Sequence, residues 1–284
     1  MSGKGLQVIE ERVLTRREQY EEETRLRCER AWKEKESFSI IEFERISRTD
    51  ALISRLSLKG KAVADLGSGI SPFSLKESAV TAVDAVQAAL DRCPPHVKTI
   101  RGSLPYVRLP EESFDAVLLA DVVAEIEPHL YRLLLSEASM LMKKDAFCLC
   151  STELDFTSED PLGHFLSLLR TEFEIVELRK SYHRLYIHFR NILDAPARFV
   201  RAASDPSYRG RHLQKRSGLS RFWFYFHSLK WISYFWRPLT PLKKCLHNRP
   251  FLLFCEKLSE ILLGENSLSH VIVLCKRKSL HLHQ

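Results

Sequence analysis

The sequence predicts an α/β fold built on a parallel sheet, and three observations predict it. Short apolar runs recur between residues 60 and 151, helical patterns alternate with them, and the first run opens into a glycine turn. The runs are Ala62–Asp65, Val80–Asp84, Lys98–Arg101, Ala116–Ala120 and Phe147–Ser151, with helical patterns at Val86–Asp91 and Pro128–Leu141. Alternation of this kind makes crossover connections, the connections that parallel strands require. Beyond them, Leu162–Thr171 reads as a helix and Glu174–Leu178 as a strand. Val271–Cys275, five apolar residues closed by Lys276-Arg277-Lys278, reads as a last buried strand.

Before the sheet, residues 5–36 are dense in charge, with apolar positions at Leu6, Val8, Ile9, Val13, Leu14 and Tyr20. They predict a helix with one modest apolar stripe, and Ser37–Leu58 a second, more apolar helix. The expected organisation is an N-terminal helical cover over 1–58 and a sheet domain over 59–190 with 268–278. A helical insertion over 191–267 precedes the last strand.

At 284 residues and 45% hydrophobic content, the chain is long and apolar enough to bury a core, which excludes general disorder. Seven scattered cysteines with no CxxC pair argue against a disulfide framework and against a zinc site, so no metal is expected. Cys148 and Cys150 flank one residue of a strand and share a face, as buried reduced thiols do. The first residues carry no apolar signal core, and no run of about eighteen apolar residues could span a bilayer. A cytoplasmic protein, with membrane association through its surface, is the expectation.

The glycine turn carries the first functional reading. Asp65-Leu66-Gly67-Ser68-Gly69 ends an apolar strand in a loop whose two glycines let a ligand approach the main chain. The next strand ends in Asp84, whose carboxylate can accept from a ribose diol. A dinucleotide fingerprint would place a third glycine where Pro72 stands, which argues against a nicotinamide cofactor. A plain strand-to-helix turn with no ligand is the alternative reading of the two glycines.

In this order and spacing, the stretch from Leu58 to Thr152 resembles the class I S-adenosylmethionine-dependent methyltransferases, in particular their type 11-like domain. Asp65-Leu66-Gly67-Ser68-Gly69 is similar to that family's first motif, and Asp84 to its ribose-binding acid. Gly102-Ser103-Leu104, then Pro110 to Val117, is similar to the segment that packs on the adenine and enters the fourth strand. Ala120-Asp121-Val122-Val123-Ala124-Glu125-Ile126 is similar to that strand's end. The resemblance implies a Rossmann-like, doubly wound, mostly parallel sheet with an antiparallel last strand. It also implies S-adenosyl-L-methionine as cofactor, held by Asp65, Gly67, Ser68, Gly69, Asp84, Ala85, Ser103, Leu104, Ala120 and Asp121. Two departures stand out. Ser103 occupies a place where the family often has an acid, and a hydroxyl accepts more weakly than a carboxylate. Pro72 interrupts a short segment between Gly69 and Asp84, so a stunted first helix is expected there.

Methyl transfer from a sulfonium is an in-line displacement accelerated by positioning and desolvation, and it needs a general base only when the acceptor must lose a proton. Asp121, Glu125, Glu153 and Asp155 are candidates at the carboxyl edge of the sheet, with His129 and His183 further out. The sequence does not choose a catalytic residue among them. Asp121 ends a strand beside the glycine turn, which favours contact with the cofactor.

Charge is concentrated in the insertion. From Pro196 to Pro250 twelve basic residues face the single acid Asp205, a net +11 that leaves −4 for the rest of the chain. The same stretch holds Phe222-Trp223-Phe224-Tyr225-Phe226, Trp231 and Tyr234-Phe235-Trp236. Phe222 to Trp236 reads as one interfacial helix, too short to cross a bilayer, flanked by Arg221 and Arg237. Residues 221–254 are therefore expected to meet a membrane surface or a lipid-like acceptor. Aromatics packed into a core or a dimer interface are the plain alternative. Arginine interleaved with aromatics also suits RNA, though not DNA, and a methyltransferase-fold protein that binds without catalysis stays open.

Overall fold

In a computed structural model of the protein, the apolar runs become seven strands of one sheet among the described residues. Residues 18–20, 22–29, 38–154, 160–214 and 216–278 are described, the side chains of 243, 245 and 247 excepted. The strands are β1 (Ala62–Leu66), β2 (Ala79–Asp84), β3 (Lys98–Arg101), β4 (Phe114–Ala120), β5 (Met142–Glu153), β6 (Phe173–Ser181) and β7 (His270–Arg277), and they lie in the order β3-β2-β1-β4-β5-β7-β6. β1 pairs in parallel with β2 and β4, β2 with β3, and β4 with β5, while β7 runs antiparallel to β5. The fold is thus the Rossmann-like, mostly parallel sheet that the sequence predicts.

β1 and β4 lie inside the sheet and are buried along almost their whole length, which is why they read as apolar runs and not as alternating ones. Val63, Ala116, Leu118, Leu149 and Ile272 form a cluster with Leu52, Ile53 and Leu58 from the chain before the sheet. Leu118 and Leu149 are fully buried there, and truncating either to alanine costs about 2–5 kcal/mol.

The crossovers depart from expectation in three places. Between β1 and β2 the described backbone forms only turns and bends, so the stunted first helix is absent. Ser71 at φ +46° and the following Pro72 explain this, since neither continues a right-handed helix from Gly69. The helical pattern at Pro128–Leu141 divides into a 3-10 turn, Pro128–Leu130, and the helix Tyr131–Leu141. β5 begins five residues before the predicted strand, and its register with β4 shifts between Phe114 and Ala116, near Asp145 at φ +63°.

The chain divides into two compact units. The first takes the described parts of 1–38, 45–180 and 269–284, and the second takes 39–44 and 181–268. The helix expected over Ser37–Leu58 spans Ile40–Ile53. Most of the helix expected over 5–36 lies outside the described residues, and 18–20 and 22–29 are helical.

The second unit is helical from Arg184 to Leu263 apart from short breaks. Its core gathers Ile41, Tyr186, Leu246, Leu252 and Cys255, and the Tyr186 hydroxyl donates to the Leu246 carbonyl at 2.5 Å. The single helix expected over Phe222–Trp236 is two: Gly218–His227 and Lys230–Trp236. Ser228 leaves helical geometry, its hydroxyl turns back to the Tyr225 carbonyl, and Leu229 is extended at ψ 138°. Among the described residues, no helix is long and apolar enough to cross a membrane.

Candidate functional site

The order β2-β1-β4 brings three parallel carboxyl ends side by side, the place where open α/β sheets bind ligands. β1 opens into Gly67 at φ +69° and Gly69 at φ +54°, β2 ends in Asp84, and β4 runs out into Asp121. A Cβ on Gly67 would lie 2.3 Å from Cγ2 of Val122, so glycine is required there by backbone angle and by space.

Asp84 closes the turn. One carboxylate oxygen accepts from the Gly69 N–H at 2.9 Å, the other from the Val86 N–H at 2.8 Å. Burial raises its pKa against the opposing pull of the backbone donors of Val86, Gly69 and Ala85. These backbone donors do not use up the acceptor sites of the carboxylate, so capacity is left for a ligand.

A cleft of about 250 Å³ opens at this edge. Gly67, Gly69, Asp84 and Ala85 line it from the first two strand ends, and Gly102 and Leu104 from the segment after β3. Ala120, Asp121, Val122, Glu125 and Ile126 line it from the end of β4, and Thr24, Arg27 and Cys28 from the N-terminal helical segment. The Arg27 guanidinium donates to the Glu125 carbonyl at 2.8 Å, joining two of these walls.

Asp121 is the most constrained of the acids. Its backbone is left-handed at φ +59°, and its N–H reaches the Ser151 hydroxyl at 3.0 Å. Oδ1 accepts from the Ser151 hydroxyl at 2.9 Å and from Nε2 of His270 at 2.6 Å. Arg45, itself buried, lies 3.7 Å from Oδ2 and 2.7 Å from the Glu153 carboxylate. Burial alone would raise the Asp121 pKa. The hydrogen bond and charge of His270, the charge of Arg45 and the Ser151 hydroxyl outweigh it and bring the group down to about 2. A carboxylate so acidic holds no proton near neutrality, which suits electrostatic stabilisation and not general-base catalysis.

Seven of the ten residues expected to hold a cofactor line the cleft: Gly67, Gly69, Asp84, Ala85, Leu104, Ala120 and Asp121. Asp65 is not among the lining residues. It is fully buried, and its carboxyl accepts from the Ser71 hydroxyl at 2.7 Å, so it ties the turn together from within. Desolvation pushes its pKa up to about 7, partly offset by that hydroxyl and reinforced by the charge of Asp84. Ser68 is buried in the turn and its hydroxyl has no hydrogen-bond partner in the described structure. Ser103 is half-buried between the lining residues Gly102 and Leu104.

Of the candidates for chemistry, Asp121 and Glu125 line the cleft, and Glu153 pairs with Arg45. His129 is exposed and 3.3 Å from Glu127, away from the lining residues. His183 is fully buried in the second unit, its Nε2 4.0 Å from Glu256. Asp155 lies outside the described residues. Sequence reasoning missed Arg45, His270, Thr24, Arg27 and Cys28. Thr24 and Cys28 stand four apart, a helical spacing that put them on one face, but nothing local marked that face as part of a site.

No family model matches the chain, and no curated protein matches it. Among solved structures, a 1,6-didemethyltoxoflavin-N1-methyltransferase of Burkholderia thailandensis, bound to 1,6-didemethyltoxoflavin and S-adenosylhomocysteine, is similar at 12% identity. It covers 95% of this chain and 90% of its own, with a TM-score of 0.48. The MccD protein is similar at 10% identity over 81% of this chain and 96% of its own, with a TM-score of 0.48. A phosphoethanolamine N-methyltransferase of Haemonchus contortus, bound to phosphomonomethylethanolamine and S-adenosylhomocysteine, is similar at 14% identity. The match covers 82% of this chain and 53% of the enzyme, with a TM-score of 0.45.

Proposed function

We propose that the protein is an S-adenosylmethionine-dependent methyltransferase whose acceptor is lipid-like or membrane-associated. The observation that carries the cofactor reading is Asp84, a strand-end carboxylate aimed by two backbone N–H groups into the cleft that Gly67 and Gly69 line. Its remaining acceptor capacity suits a ribose hydroxyl, and Leu104, Val122 and Ile126 give the cleft apolar walls for a flat base.

When bound, the cofactor supplies a methyl group on a cationic sulfur. The chain's own residues position and stabilise. Asp121 and Glu125 place negative charge in the cleft, and Arg45, His270 and Ser151 keep Asp121 ionised and fixed in orientation. Thr24, Arg27 and Cys28 form a further wall, which restricts water at the reacting centre.

The acceptor reading rests on the second unit, where basic and aromatic residues concentrate. Incubation with methyl-labelled cofactor and a cell extract, followed by separation into lipid, RNA, protein and small-molecule fractions, tests it. Label in the lipid fraction supports the reading, and label confined to RNA supports an RNA methyltransferase. Cofactor binding with no label transferred to any fraction supports a binding protein without catalysis.

A further inference from the structure

The helix Gly218–His227 carries its apolar residues on the wrong side for a buried helix. Leu219, Phe222, Trp223 and Phe226 fall at the i, i+3, i+4, i+7 spacing that ordinarily marks a core-facing stripe. Here that stripe is exposed, with Phe222 at 65%, while Phe224 on the other side is buried. The helix Lys230–Trp236 repeats the inversion. Ile232 and Ser233 are buried, and Trp231, Tyr234 and Phe235 stand out, Phe235 at 75% exposure.

The two helices present one continuous face. The Phe222 ring stacks on Phe226 at 6.2 Å between centroids, and Phe226 meets Trp231 edge-on at 6.4 Å. An apolar surface of this extent is uncommon on a protein that meets only water, and it marks a place where something binds.

We propose that this face docks on the surface of an anionic phospholipid bilayer. Charge decides the occupant. Arg221, Lys230 and Arg237 are exposed on or beside the same two helices, and the Arg237 guanidinium lies over the Tyr234 ring at 4.3 Å. A stretch with net +11 pairing with a second copy of itself would bring like charges together, whereas anionic headgroups neutralise them. Tryptophan and tyrosine favour headgroup depth, and helices of ten and seven residues lie in the interface because neither can span it. The proposal deepens the acceptor reading by naming the surface from which a lipid-like acceptor would be taken, but its test is independent of catalysis.

The test is co-sedimentation of the full chain with vesicles of phosphatidylcholine alone and of an equimolar mixture of phosphatidylcholine and phosphatidylserine, without cofactor. Binding is expected on the mixed vesicles. It should fall about tenfold in Phe222→Ser with Phe235→Ser, and about as much in Arg221→Glu with Lys230→Glu. Both pairs are exposed, and circular dichroism of each variant reports that it folds. Equal binding to neutral vesicles, no loss in the folded aromatic variant, or a dimer that Phe222→Ser dissolves would each overturn the proposal. Binding of S-adenosylhomocysteine, measured without vesicles, separates failure of this face from failure of the methyltransferase reading.

Discussion

The carboxylate of Asp121 and the imidazole of His270, 149 residues apart in the chain, meet at 2.6 Å where β4 and β7 reach the cleft edge of the sheet. The imidazole is fully buried and its Nδ1 has no hydrogen-bond partner among the described residues, so its placement serves the Asp121 side alone. A charge in the cleft is thereby fixed from behind by a residue that is not among those lining the cleft.

Replacing His270 with alanine removes that donor and leaves the carboxylate to Ser151 and Arg45. The expected loss of folding stability is about 1–3 kcal/mol in urea unfolding at neutral pH. The Asp121 pKa should also climb from about 2 toward the ordinary carboxylate range, readable by carboxyl NMR titration. An unchanged titration would show that His270 does not act on Asp121.

Asp65 and Asp121 give opposite pH dependence. Asp121 is more acidic in the folded protein, so the stability it contributes is present above the ordinary carboxylate range and is lost as pH falls from about 4 toward 2. The Asp65 pKa is raised to about 7, so the folded state holds a proton that the unfolded chain releases near pH 4. Its contribution is present below about pH 4 and is lost as pH rises through about 7. Asp65→Asn should therefore stabilise the protein by about 1–3 kcal/mol at pH 8 and change it little at pH 4. Equal effects at both values would place the Asp65 pKa in the ordinary range.

Gly67→Ala tests the tight turn. The new methyl meets Val122 in a backbone conformation that alanine resists, and a loss of about 2–4 kcal/mol is expected in thermal unfolding. Adding Val122→Ala should recover part of the loss, because space is restored and the backbone strain is not. Full recovery would contradict the φ argument.

The cysteines report on occupancy of the cleft. Cys148, Cys150 and Cys275 are buried in the sheet, and desolvation raises their thiol pKa values, so they should resist alkylation in the native protein. Cys28 is half-buried and lines the cleft, its pKa raised by burial and by the charge of Asp84. Saturating S-adenosylhomocysteine should slow its alkylation, measured by mass spectrometry of the peptide. An unchanged rate would place the ligand away from this wall.

The sheet was legible because its strands are short, apolar and bounded by turn residues. Lys98–Arg101 matches its predicted bounds, and the other strands differ mainly at their ends, which extend where pairing outlasts the apolar run. Gly67, Gly69 and Asp84 were legible because a turn and the strand-end acid that closes it are set by local chemistry. Arg45 and His270 were not, because their meaning comes from contacts across the sheet, and His270 stands just before the apolar run of its own strand. The break after His227 was hidden because aromatic and apolar residues resume at Leu229 and Trp231, so His227 and Ser228 read as polar positions within one helix, while Ser228 redirects the backbone with one hydroxyl.

Titration calorimetry of S-adenosylmethionine and S-adenosylhomocysteine into the wild type and Asp84→Ala tests the central claim most directly. Binding to the wild type is expected, with affinity at least about tenfold weaker in the variant, the loss of one charged hydrogen-bond acceptor. No heat with either ligand in the folded wild type, or equal affinity in both proteins, would contradict the assignment of this cleft.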